Sequence, residues 1–146
     1  MIKKATKFLV LFILISCVST QIISKNDLST SKEVTNTTKK QKELYITAND
    51  WMIDQFTNAD SVIQFSDKEA GTIIGKYFLY GNIYTIYGST ADNRIFAKIK
   101  ITVKDNYAKL EIQPVTDIKI SNKAVIPKIK TQISSLLNSF ETRMQE

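Results

Sequence analysis

Histidine is absent from all 146 residues. That absence removes the commonest general base, the commonest nitrogen ligand for metal ions and every Ser-His or Cys-His dyad. Cysteine occurs once, at Cys17, so no intramolecular disulfide can close and no thiolate zinc site can be assembled. Arginine occurs only at Arg94 and Arg143, whereas readers of phosphate backbones usually cluster arginine and lysine on one face. The apolar run near the amino terminus stops well short of the roughly 20 residues that a membrane-spanning helix needs. The sequence therefore predicts no catalytic residue set, no metal site, no cofactor and no nucleic-acid partner, and it does not read as an enzyme.

What is present at the amino terminus reads as an export signal. Lys3, Lys4 and Lys7 precede an unbroken apolar run over residues 8–15, which together form the charged and hydrophobic regions of a secretory signal peptide. Leu14-Ile15-Ser16-Cys17 resembles the lipobox of bacterial lipoproteins, with an aliphatic residue three before the cysteine and a small residue directly before it. The expectation is a signal peptide over residues 1–16, cleavage before Cys17 and acylation of its thiol, so that the membrane is a partner through acylated Cys17. Each buried methylene contributes about 0.8 kcal/mol, so two or three acyl chains such as palmitate would anchor the protein durably. The plainer alternative is a conventional signal peptide followed by an incidental free cysteine. Without Lys3, Lys4 and Lys7, 17 basic residues stand against 14 acidic ones, a mild net charge of +3.

Residues 17–40 read as the lipidated cysteine and a flexible polar tether, since Leu28 and Val34 are the only apolar residues between 24 and 40. Residues 41–146 read as a single α+β domain. Leu44, Ala48, Trp51, Met52, Phe56 and Ala59 fall at spacings of three and four and predict a helix over about residues 42–58. Val62-Ile63-Gln64-Phe65 is a short strand, followed by a polar turn over residues 66–71 that ends on glycine. Residues 72–80 and 83–88 are β-rich and are separated by Gly81-Asn82, so they are expected to pair as a tight hairpin. Residues 95–103 and 107–113 alternate apolar and polar with period two, around a turn at Lys104-Asp105-Asn106. Ile126, Ile129, Ile133, Leu136, Leu137 and Phe140 define a final amphipathic helix from about Pro127. The expected architecture is a two-layer fold of helix, antiparallel sheet of four to five strands, and helix, with both helices on one sheet face and the lysine-bearing face open.

The stretch D-K-E-A-G-x-I-x-G-K, comprising Asp67, Lys68, Glu69, Ala70 and Gly71, then Gly75 and Lys76, resembles a family of uncharacterised bacterial lipoproteins typical of Bacteroides-group bacteria. That family is a domain of unknown function with a fold like that of the TATA-binding protein (TBP-like). The resemblance extends loosely over residues 44–140 and includes a tryptophan in the first helix. It implies the TBP-like fold and a cell-envelope location. The outer membrane is favoured over the inner, because Val18 rather than an aspartate follows Cys17. The resemblance assigns no activity, and since fold does not carry function it implies no DNA binding. Tyr77-Phe78-Leu79-Tyr80 is more aromatic than the family pattern at this place.

Three groups of residues bear on function. Asp67 and Glu69 could act as a carboxylate pair, but residues two apart around a lysine in a turn are more simply a solvated loop, and glycoside chemistry needs carboxylates facing each other across a sugar. Gly71 and Gly75 could cradle a phosphate, yet Thr72-Ile73-Ile74 between them looks like strand rather than a turn opening a helix. Phe96, Lys98, Lys100 and Lys109, joined by Lys76 and by Tyr77, Tyr80, Tyr84 and Tyr87, form a candidate face suited to an envelope protein or a glycan. Its plainer reading is a solvated face in which Lys98 or Lys100 pairs with Glu111 for roughly 0.2 to 1 kcal/mol. The leading expectation is a non-enzymatic, membrane-anchored envelope domain that binds through this face. The alternatives are a phage superinfection-exclusion or toxin-immunity lipoprotein and, less favoured, a carboxylate-dependent hydrolase.

Overall fold

The computed structural model describes residues 20–35, 37–58, 61–120 and 122–146; the expected signal segment, Cys17 and Ala59 lie outside them. In chain order the elements are β1 (Gln21–Ile23), a short 3-10 helix (Lys25–Leu28), β2 (Thr30–Thr35), α1 (Gln41–Gln55), β3 (Val62–Asp67), β4 (Thr72–Tyr80), β5 (Ile83–Ile86), β6 (Ser89–Asp92), β7 (Ile95–Lys104), β8 (Tyr107–Pro114), β9 (Ile118–Ile120) and α2 (Val125–Gln145). The main sheet is antiparallel with five strands in the order β2-β8-β7-β4-β3. β1 with β9 and β5 with β6 form two-stranded ribbons beside it.

The period-two alternation of β7 and β8 sorts their side chains onto two faces. Ala97, Ile99, Ile101 and Val103 from β7, with Ala108, Leu110 and Ile112 from β8, are buried beneath the helices. α1 contributes Leu44, Ala48, Trp51 and Met52 to this core, and α2 contributes Ile129, Ile133, Leu136, Phe140 and Met144. The Trp51 and Phe140 rings meet edge-on with centroids 5.3 Å apart, and the Trp51 indole N–H donates to the Ser139 hydroxyl at 3.1 Å. That hydrogen bond lets a large aromatic be buried without leaving its one donor unpaired. The α+β order and the two helices on one face agree with the sequence reading.

Two expectations are corrected. Residues 24–35 are not tether: the 3-10 helix and β2 belong to the folded domain, and β2 pairs with β8 from Thr30 opposite Ile112 to Thr35 opposite Tyr107. Leu28 and Val34, the two apolar residues of that stretch, are both in the core, at 5% and 2% exposure. An edge strand needs few apolar residues of its own, because the ladder to β8 satisfies its backbone and one inward valine closes the core. The domain therefore starts well before residue 41. The second correction concerns Gly81-Asn82. β4 does not pair with the run that follows; it pairs with β7, and residues 83–92 form their own hairpin, β5 with β6, inserted between them. At Gly81, φ is +108°, and a Cβ there would meet the Asn93 carbonyl oxygen at 2.3 Å. The glycine thus serves the crossing of the insertion's two ends, not a two-residue turn.

Candidate functional site: the open sheet face

Among the described residues no helix lies over the second face of the sheet. The register puts Phe96, Lys98, Lys100, Thr102 and Lys104 of β7 on it, with Lys109, Glu111 and Gln113 of β8 and Ile74 and Lys76 of β4 alongside. Phe65 and Val62 of β3 complete it at one edge, where both are half exposed.

The lysines expected to act together separate into two groups. Lys100 lies opposite Glu111 across β7 and β8, and their charged groups are 3.8 Å apart. Lys109 reaches Glu33 at 3.3 Å and Glu111 at 3.8 Å, and the hydrogen bond to Glu33, followed by the field of Glu111, holds its ammonium above the usual lysine range. For these two, the solvated cross-strand network describes the geometry. Tyr107 beside them is pushed up from the ordinary tyrosine value, chiefly by burial and then by the Glu33 charge. Lys98 differs: its cross-strand neighbours are Lys76 on β4 and Gln113 on β8, and it has no carboxylate partner among the described residues.

Lys76 leans toward Phe96, its ammonium 3.8 Å from the ring centroid, while the Phe96 and Phe78 rings meet edge-on at 5.9 Å. Such a cation over an aromatic face contributes roughly 0.5 to 1 kcal/mol at exposed sites. Beside this pair runs a groove of about 300 Å³, walled by Lys25, Gln64, Lys76, Lys98 and Gln113, with Pro114 and Val115 as its apolar side. The Val115 N–H donates to the Phe96 carbonyl at 2.9 Å and fixes that side. Lys25 was missed in the sequence because it falls in the stretch read as tether. Its local signal was Ser24, whose hydroxyl accepts the Asn26 N–H at 3.3 Å and opens the 3-10 helix.

The family stretch is structural. Asp67 Oδ1 accepts the N–H groups of Glu69 and Ala70, each at 2.9 Å, so this carboxylate closes the turn between β3 and β4. The Gln41 amide donates to the carbonyls of Glu69 at 2.9 Å and Lys68 at 3.4 Å, tying the turn to the start of α1. Gly71 has φ of +62°, and its carbonyl accepts the Val103 N–H at 2.8 Å. At Gly75 a Cβ would lie 2.5 Å from the Phe56 ring and 2.7 Å from the Met52 methyl, so the missing side chain is what lets α1 approach β4. Neither glycine sits in a turn opening a helix, and the phosphate-cradle alternative fails on that geometry. Of this stretch, Lys76 is the residue that lines the groove on the open face.

The tyrosines also divide. Tyr77 packs beneath the helices, its ring 5.4 Å from that of Phe56 and its hydroxyl accepting from the Gln132 amide at 3.2 Å. Tyr80 is partly buried against the core, whereas Tyr84 and Tyr87 are exposed on the β5-β6 hairpin. At the base of that hairpin Arg94 holds Asp92 by two side-chain hydrogen bonds of 3.0 and 2.8 Å, which lowers the Asp92 carboxyl to about 2. No cluster of three or more metal-binding side chains occurs among the described residues.

These features define a two-layer α+β domain of the TBP-like class, with two helices on one sheet face and a mixed cationic and aromatic surface on the other. The chain belongs to the family described as "Domain of unknown function (DUF4468) with TBP-like fold", whose model matches residues 30–119. The match begins at β2, in accord with a domain that includes this strand. Among solved structures the chain is similar to a TBP-like protein from Parabacteroides distasonis ATCC 8503, at 18% identity and a TM-score of 0.55, over 81% of this chain and 92% of that one. It is also similar to a DUF4468 family protein from Bacteroides ovatus ATCC 8483, at 22% identity and a TM-score of 0.47, over 80% and 82% of the two chains. No curated protein matches the chain.

Proposed function

We propose that this chain is a lipid-anchored lipoprotein of the cell envelope, with the outer membrane favoured, and that its domain is a non-catalytic module whose open sheet face binds an envelope protein or glycan. The observation that carries the binding role is the asymmetry of the sheet: α1 and α2 fill one face, while Phe96, Lys98 and their neighbours stand on the other, where no helix of the described residues covers them. Support for the anchor lies in the order of charged segment, apolar run and lipobox ending at Cys17. The turn-capping use of Asp67 supports a role without carboxylate chemistry at that place.

A photo-crosslinking residue introduced at Lys98 tests the face directly, with one at the exposed Lys130 on α2 as control. In the native host, a discrete adduct to an envelope component should form from position 98 and not from position 130. The same products from both positions, or none from position 98, would reject the sheet face as the binding surface.

A further inference from the structure

On the open face Lys100 and Lys109 have carboxylate partners, whereas Lys76 and Lys98 border a groove and have none in ion-pair contact among the described residues. Lys76 and Lys98 are direct cross-strand partners, an arrangement in which like charges are destabilising. Lys25, brought in by the 3-10 helix, is a third lysine lining the same 300 Å³ groove, and no carboxylate is among its lining residues. Two acids outside the lining interact with its lysines, and each has a hydrogen-bond partner of its own. Asp92, whose field Lys76 feels, is held by Arg94, and Asp117 accepts the Lys25 backbone N–H at 2.9 Å. Lys100 and Lys109, by contrast, have Glu111 and Glu33. The groove also offers two side-chain amides, Gln64 and Gln113, which can donate to oxygen without adding charge.

We propose that the groove between Lys25, Lys76 and Lys98 is a binding site for a phosphoryl group. Three lysines from different elements, the 3-10 helix, β4 and β7, line one concavity, and each long side chain can turn its ammonium donors toward a ligand there. A phosphate supplies up to two negative charges and three or more acceptor oxygens to meet them, whereas a single carboxylate has one charge and two oxygens. Binding relieves the repulsion between Lys76 and Lys98, so the ligand completes an arrangement that is unfavourable when empty. The inference deepens the proposed binding role and rests on the open face as the binding surface, not on the anchor. The phosphoryl group can belong to a lipid headgroup or to a soluble phosphate ester.

The test uses the full chain carrying Cys17→Ala, so that acylation cannot drive association. Amide chemical shifts are followed during titration with inorganic phosphate and glycerol phosphate, and flotation is measured with phosphatidylcholine vesicles with and without phosphatidylglycerol. Saturable shifts should centre on Lys76, Lys98 and Gln113. Lys76→Gln and Lys98→Gln should each weaken binding about tenfold, the effect of removing one charge-assisted hydrogen bond. Lys104→Gln, at the far end of the same strand and face, should leave binding within about twofold. Flotation with phosphatidylglycerol that exceeds the affinity for the soluble esters assigns the headgroup as the source; the reverse assigns a soluble ester. The proposal is overturned if neither probe binds saturably, or if Lys104→Gln weakens binding as much as Lys98→Gln. In either case persistent photo-crosslinks from position 98 would leave the binding face standing and reject only its phosphoryl chemistry.

Discussion

Asp105 and Gln41 are 64 positions apart, and the Asp105 carboxylate accepts the Gln41 backbone N–H at 2.9 Å. The turn between β7 and β8 thus caps the first turn of α1, satisfying one of the donors that a helix start leaves free. The Lys40 N–H goes to the Glu43 side chain at 3.1 Å, and the Asn106 N–H donates to the Lys39 carbonyl at 3.0 Å. Helix and sheet are tied together at this corner by the Asp105 carboxylate, which also meets the Lys40 ammonium at 3.4 Å, and by the Asn106 to Lys39 backbone bond.

A pH dependence follows from the two depressed carboxyls. Asp105 is held below the ordinary aspartate range, first by the Gln41 N–H, and Asp92 is lowered to about 2 by Arg94. A carboxyl whose folded pKa is depressed contributes stability that is fully present above its unfolded value and disappears as pH falls through the folded value. Urea midpoints should therefore be flat across neutral pH and fall between about pH 4 and 2. Asp105→Asn and Asp92→Asn should each lower the neutral-pH midpoint and make that acid fall shallower. An acid limb with the same slope in both variants would contradict these roles.

Leu28 tests the early start of the domain. If it were part of a tether, truncation would be silent. As a core residue, Leu28→Ala should destabilise by about 2 to 5 kcal/mol. Removing residues up to 35 should do more, by exposing the edge of β8 to pairing with other chains. Urea denaturation checks the first and light scattering the second.

Gly75 should tolerate no side chain while Phe56 is present. Gly75→Ala is expected to cost about 1 to 3 kcal/mol through overpacking against α1. In a double-mutant cycle with Phe56→Ala the two losses should sum to more than the double variant shows, because removing the ring opens the space the methyl needs. Additive losses would place the strain elsewhere.

Trp51, the single tryptophan, provides the probe for these measurements. Trp51→Ala should cost about 3 to 5 kcal/mol, since it empties the α1-α2 contact with Phe140. In the unaltered chain its emission should move to the red in one transition that coincides with loss of helical circular dichroism. Separate transitions would mean that the helices and the sheet do not share one core.

Period was legible where the protein has a clear inside and outside. Ile95 to Val103 and Tyr107 to Gln113 alternate because one face is core, and the α2 stripe from Ile129 to Phe140 repeats because one helix side is core. Pairing was less legible. Thr72 to Tyr80 carries no mark distinguishing β5 from β7 as its partner, and only tertiary context selects β7. Composition misled at β2, where one buried valine and a backbone ladder were enough. The candidate site shared that fate. Lys98 was visible as an outward lysine, but its difference from Lys100 lies in which strand neighbours face it. Lys25 became visible only once the segment before β2 had a place in the fold.

The proposed acylation of Cys17 is tested by metabolic labelling of the native host with a clickable palmitate analogue, followed by fractionation of cells producing the chain or its Cys17→Ala form. Label should appear on the unaltered chain in the envelope fraction, with an unlabelled Cys17→Ala form released from it. An unlabelled chain that fractionates identically with and without Cys17 would rule out a lipid anchor at this residue.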